Sequence, residues 1–318
     1  MAAFHSKIDS DTWGQEVIRV RQLHSRIGVD TEQRMSKSVR QSLYTQLQLF
    51  DVVLVLAFPL LIGLGYSLPL GTRESLVFNY ANPTLLEGFV SAFVHFEFGH
   101  LLTNVGLYIL VVPILYALTA LSGRQQQFRV FVFTAFLVFP PVLSYLNLAI
   151  ARPSVTFGAS GIIMIFVGYL PLALGEYLDT NFDIGPVSVF APALFFASLG
   201  PISVLSLQSV LLQNPTVLLG TAGLVLATVL STTLYVLTVY EQTDDARMKV
   251  RFAMQATGYA DLILLSVLLL FVVPVIAFPA NPQVDNGVLN LYEHFLGYAL
   301  GFMTPYIEDV IERFSPMA

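Results

Sequence analysis

Long apolar runs separated by short polar breaks dominate the chain from residue 49 onward. A hydrocarbon core about 30 Å thick takes roughly 20 apolar helical residues to cross. Runs of that kind lie near 49 to 68, 98 to 120, 128 to 150, 157 to 175, 187 to 210, 215 to 240, 261 to 279 and 288 to 306. The pattern predicts an all-α, polytopic membrane helical bundle of about eight spans. It divides the chain into a polar segment at 1 to 47, a transmembrane domain at 48 to 307 and a short tail at 308 to 318. From Pro186 to Tyr240 the apolar run is broken only by Gly200-Pro201 and by Gln213-Asn214-Pro215. Membrane helices tolerate such residues, so one long kinked helix or a re-entrant piece is the alternative there.

The distribution of positive charge tests the count, because basic residues collect in cytoplasmic loops. With a cytoplasmic N-terminus and eight crossings, 13 of the 15 Lys and Arg residues fall inside, and only Arg73 and Arg152 fall outside. Removing either of the fifth and sixth spans would put the basic stretch ARMKVRF outside. The expected location is therefore a multi-pass protein of the cell membrane. Residues 1 to 47 carry seven Lys and Arg and no long apolar core, so they do not read as a signal peptide. Residues 10 to 40 carry a loose apolar periodicity that fits either a surface-lying amphipathic helix or a solvated cap.

Composition agrees with a membrane protein: 318 residues are 55% hydrophobic and only 11% charged, with a mean hydropathy of +0.72. The absence of cysteine excludes a disulfide framework and Cys-ligated metals. A formal charge of −6 gives no reason to expect a nucleic-acid partner.

Polar residues inside apolar spans are the informative ones, since each is unfavourable in lipid and tends to face protein or a water-filled cavity. The second span opens HFEFGHLLTNVG, with His95 at its mouth and His100 and Asn104 one turn apart on one face. The fourth opens GASG around Ser160, and the eighth carries His294, Gly297 and Gly301 on one stripe. In the eight-span orientation these three helices all run from outside to inside, with their polar groups near the start. Each feature alone has a bland reading: GASG and the GxxxG pair as close-packing motifs, a histidine as an interfacial residue, Asn104 as helix glue. Four independent bland readings do not account for their common depth.

The chemistry that would use such a set is acyl transfer. A serine hydroxyl is a weak nucleophile until a positioned base takes its proton, and histidine suits that task. Ser160 is the candidate nucleophile and His294 the candidate base. Their contact across two helices requires close backbones, which glycines at 158, 161, 297 and 301 permit. Free N–H groups at the helix start around Ser160, with the side chains of His100 and Asn104, supply candidate oxyanion donors. No acid stands at matching depth: Glu293 adjoins His294 but lies about 100° round the helix. A Ser–His dyad is the economical reading.

In these motifs the chain resembles the rhomboid intramembrane serine proteases. The second span matches the family pattern as His95, Gly99, His100 and Asn104. The fourth matches GxSG as Gly158 to Gly161, with Gly168-Tyr169 eight residues beyond the serine. The last matches as His294 followed by Gly297 and Gly301. The likeness covers about residues 49 to 175 and 285 to 306. It implies a rhomboid-like six-helix core, here with two additional helices between those bearing serine and histidine. It also implies cleavage of transmembrane protein substrates within the lipid bilayer, without a cofactor or metal. The implied cavity is open to the outside and lined by His95, His100 and Asn104.

The chain departs from the family pattern twice. The first external loop lacks the Trp-Arg pair many members carry, and Met164 stands where many have a tyrosine packed on the histidine. These departures motivate an alternative, a catalytically silent rhomboid-like protein that binds transmembrane clients. A transporter with a midplane site fits less well, because the ionisable residues cluster at one leaflet. A soluble α/β hydrolase is excluded by the missing second elbow glycine, replaced by Ile162, and by the apolar spans.

Overall fold

A computed structural model of the chain describes residues 39 to 150, 154 to 211, 213 to 243, 245 to 255, 258 to 284 and 287 to 314. Nearly all of the amphipathic stretch expected at 10 to 40 lies outside the described residues. The helices are α1 (Val39–Gln46), α2 (Leu49–Ser67), α3 (Leu70–Glu74), α4 (Leu85–Val90), α5 (Phe98–Leu121), α6 (Gln125–Leu137) and α7 (Phe139–Leu146). They continue with α8 (Ser160–Phe182), α9 (Val187–Leu211), α10 (Pro215–Gln242), α11 (Ala246–Gln255), α12 (Tyr259–Ala277) and α13 (Leu291–Phe314). Four two-residue strands form two antiparallel pairs, β1 (Phe78–Asn79) with β2 (Val155–Thr156) and β3 (Gln283–Val284) with β4 (Gly287–Val288).

Among the described residues, six helices are long and apolar enough to cross a membrane: α2, α5, α8, α9, α10 and α12. Counting the bent pair α6–α7 as one crossing makes seven. The chain is thus an integral membrane protein with an all-α polytopic fold. The run at 128 to 150, expected as one helix, is two helices meeting at 49°. Pro140 and Pro141 follow the break, and neither can donate the backbone N–H that a continuous helix would need there. The last helix reaches Phe314, beyond the apolar run that ends near 306 and into the segment expected as a tail. It is not among the six, being interrupted by Glu293, Glu308 and Asp309.

The bundle is organised around α8. All of its membrane-length window is buried, whereas only 11% of the corresponding window of α10 is. Helices α5, α9, α12 and α13 pack around α8, while α10 packs chiefly against α9 and leaves most of its apolar surface outward. An outward apolar face of this length is what a lipid-facing helix presents. Aromatic rings fill the space between α2, α5, α6 and α8, with Phe58, Tyr108, Phe136 and Phe166 in mutual contact.

Charged groups clasp the helix ends opposite the GASG turn. Arg129 of α6 pairs with Asp51 of α2 at 2.6 Å, and Tyr116 of α5 donates to the same carboxylate. Arg124 reaches Glu176 of α8 at 3.4 Å and Asp309 of α13 at 3.8 Å. These pairings account for carboxylates that would otherwise be unfavourable at buried positions.

Candidate active site

The close approach of α8 and α13 creates the site. A methyl group on Gly297 would lie 2.3 Å from the Gly161 carbonyl oxygen, and one on Gly301 would lie 2.0 Å from that of Ile165. One on Gly168 would lie 2.1 Å from the Tyr298 carbonyl oxygen. Real carbon atoms do not approach oxygen so closely, so the two backbones meet at a separation only glycine allows.

At the first turn of this contact, Ser160 Oγ lies 2.7 Å from His294 Nε2. On its other side, His294 Nδ1 lies 2.7 Å from the Ala277 carbonyl oxygen. A carbonyl only accepts, so Nδ1 carries the proton and Nε2 of the neutral ring presents its lone pair to the serine hydroxyl. The Ser160 hydroxyl therefore donates to His294. Ala277 is the last residue of α12, where the carbonyls carry the negative end of the helix dipole. That end favours the imidazolium formed when the ring takes a proton. The edge of Phe278 meets the ring at 5.9 Å between centroids and 85° between planes, supplying an aromatic wall in a fold where Met164 lines the cavity instead.

The turn before Ser160 is held from two directions. Strand β2 pairs Thr156 with Phe78 and Val155 with Asn79, tying it to the loop after α3. The Gly158 amide donates to the Ser91 carbonyl at 2.9 Å. Gly158 itself has φ +103°, and a Cβ there would meet His100 Cε1 at 3.0 Å. Glycine is thus required at 158 both for the backbone turn and for the space beside His100.

Ser160, His294, His100, Asn104 and Met164 line one cavity of about 80 Å³. Asn104 Nδ2 donates to His95 Nε2 at 2.8 Å, which leaves its second N–H to other acceptors. His100 Nε2 is buried with no hydrogen-bond partner among the described residues. His95 does not line the cavity: it is fully buried behind Asn104, and its backbone carbonyl accepts from Arg73 Nη1 at 2.7 Å. Burial pushes the His95 imidazole down to about 3, so the ring is neutral at ordinary pH and remains an acceptor for Asn104. Gly99, singled out in the sequence only by its place in the family motif, has nothing within 4 Å of a Cβ among the described residues and sits at the exposed start of α5.

Several contributors were invisible or overlooked in the sequence. The Ala277 carbonyl is backbone and leaves no residue-type signature. Arg73, flanked by the rings of Tyr66 and Phe96, holds the loop that carries His95. Glu293, turned away from the dyad, accepts from Asn147 Nδ2 at 3.1 Å, Thr156 Oγ1 at 3.1 Å and Asn290 Nδ2 at 2.9 Å. This network ties α7 and the β2 strand to the start of α13. A polar Asn147 in the apolar stretch LSYLNLAIA was the signal for it. No protein-family model, curated protein or solved structure matches the chain.

Proposed function

We propose that the chain is an intramembrane serine protease of the rhomboid type, cutting transmembrane protein substrates near one face of the bilayer with Ser160 as nucleophile and His294 as base. The observation that carries this reading is the 2.7 Å contact from Ser160 Oγ to the unprotonated Nε2 of a histidine whose Nδ1 is committed to a helix-terminal carbonyl. General-base catalysis needs that distance and that tautomer together. The same geometry favours the protease over the silent client-binding alternative, which rests on Met164 and the missing Trp-Arg pair. His294 is oriented by Ala277 and Phe278, and the loop is held by Arg73.

The steps follow from the groups present. A substrate segment that unwinds near its end exposes a peptide carbonyl, at a free-energy cost that helix-destabilising residues lower. Ser160 Oγ attacks the carbonyl carbon as its proton passes to His294 Nε2. The resulting oxyanion accepts from the Ser160 amide, the free N–H of Asn104 and His100. His294 returns the proton to the leaving amine, and the C–N bond breaks to leave an ester on Ser160. Water then adds to the ester with His294 again taking the proton, and the acid departs as the serine is restored.

In this reading α13 and the α6–α7 pair each cross the bilayer, giving eight spans, a cytoplasmic N-terminus and the dyad in the outer half of the cell membrane. The test is incubation of the purified chain with reporter transmembrane substrates beside Ser160→Ala. Cleavage by the wild type alone is expected; equal product from both proteins ends the proposal.

A further inference from the structure

The orientation of His294 depends on a carbonyl at a helix end that is weakly held by its own helix. Pro274 lies inside the last turn of α12 and has no N–H to give the carbonyl four residues earlier. Beyond Ala277 the backbone leaves helical geometry, with Phe278 at φ −122° and ψ 65°. Within the turn, the Phe278 amide still donates to the Pro274 carbonyl at 2.8 Å. The next carbonyl, that of Phe278, accepts from the side chain of Gln208 at 3.1 Å. Gln208 belongs to α9, one of three membrane-length helices, with α10 and α12, between those that carry Ser160 and His294.

Helix α9 also grips the base-bearing helix. The hydroxyls of Ser198 and Tyr298 share a hydrogen bond, and Phe195 stacks on Tyr298 and Phe302 at 5.4 and 4.2 Å between centroids. Tyr298 is one turn beyond His294 on α13. Helix α9 therefore touches both parts that set the imidazole: the helix carrying it and the segment whose carbonyl selects its tautomer.

We propose that Gln208 is a positioning residue for the base, holding the 277 to 278 segment so that the Ala277 carbonyl faces His294 Nδ1. This rests on the protease reading for its consequence in catalysis, while its geometric part stands independently. Helix α9 thereby supplies the support that a buried aspartate gives the histidine of a triad.

The experiment uses the full chain in detergent micelles, with two donor-less residues of similar volume, Gln208→Met and Gln208→Leu. The first readout is the rate constant for acylation of Ser160 by a fluorophosphonate, resolved from probe binding and normalised to monodisperse protein. The second is the downfield Nδ1–H proton resonance of His294, identified by its loss in His294→Ala. Acylation is expected to fall about tenfold at unchanged probe affinity, the low end for residues that orient a reacting group through an intermediary. The resonance is expected to shift or broaden in both variants. Ser206→Ala, whose hydroxyl donates to the Ile202 carbonyl of its own helix, is expected to match the wild type in both readouts. Wild-type acylation with an unshifted resonance in the Gln208 variants overturns the inference. So does an equal loss in Ser206→Ala, or failure of both Gln208 variants to fold, since a positioning residue is dispensable to the fold. A wild type that never acylates sinks the protease reading alone, and the resonance still decides the role of Gln208.

Discussion

Gly297→Ala is the sharpest perturbation the structure offers, because it adds one carbon beside the dyad and changes no chemistry. The new methyl group would lie 2.3 Å from the Gly161 carbonyl oxygen, about 1.1 Å short of the 3.4 Å at which ordinary contact begins. Flanking contacts leave little room to relax: the Gly161 carbonyl carbon would be at 3.2 Å and Met164 Cβ at 3.3 Å. Helices α8 and α13 must then part by about 1 Å at a point one residue from Ser160 and one turn from His294. The 2.7 Å hydrogen bond of the dyad would lengthen past the roughly 3.2 Å limit for efficient proton transfer. A displacement of this size costs about a hundredfold in rate, and the overpacking costs about 1 to 3 kcal/mol in stability. Fluorophosphonate labelling of Ser160 and thermal unfolding, measured on the same preparation, separate the two effects. Gly106→Ala, with nothing within 4 Å of its added carbon, is the control and should change neither. Labelling of Gly297→Ala at the wild-type rate would refute the argument that helix separation sets the dyad.

Three further substitutions probe the surroundings. His95 is held neutral by burial, with a folded value near 3 against an ordinary 6.5. The unfolded chain binds the extra proton first, so this group's contribution to stability is complete above about pH 6.5 and is lost as pH falls toward 3. His95→Gln keeps an acceptor for Asn104 and should flatten that part of the pH dependence of unfolding; an unchanged slope would contradict the assignment. Glu293→Gln replaces one acceptor oxygen of a three-donor network with a donor and should lower stability by about 1 to 3 kcal/mol in chemical unfolding. Gly99→Ala should leave labelling and stability within experimental error, because its Cβ points into open space; a large loss would show a role that packing does not explain.

The sequence revealed the apolar spans well because lipid-facing and core positions are both apolar, so a membrane helix shows up by length alone. That same uniformity concealed the break between α6 and α7. Hydrophobic residues continue on both sides of Pro140 and Pro141, and only the two missing N–H groups mark the bend. At α13 the opposite happened. Asp309 lies past the apolar run, yet it is buried and reaches Arg124, so the helix continues where hydropathy falls. Serine, histidine and asparagine stood out as polar groups in apolar surroundings, and the structure brings Ser160, His294, His100 and Asn104 to one cavity. Gly99 stood out only by its place in a motif, and no described residue comes within 4 Å of a Cβ built there, so motif position and close approach are separate properties. No sequence pattern could reveal the Ala277 carbonyl, because every residue has one and only the fold chooses which faces a histidine.

In the proposed protease, that carbonyl would take the place of a third catalytic residue. An ionised aspartate behind His294 would be a second charge to desolvate in the membrane, unfavourable unless fully paired. A carbonyl at the end of α12 gives the imidazole the same directional acceptor and the partial negative charge of a helix terminus without adding a net charge. The arrangement transfers the burden from side-chain chemistry to helix placement, since the acceptor is only as well aimed as the last turn of α12. Packing between α8 and α13 fixes the serine side of the imidazole, while contacts from α9 reach its carbonyl side. In the proposed eight-span arrangement, α9, α10 and α12 lie between the helices that carry Ser160 and His294; three crossings return the chain so that α13 runs in the same direction as α8, and the two groups meet at one face.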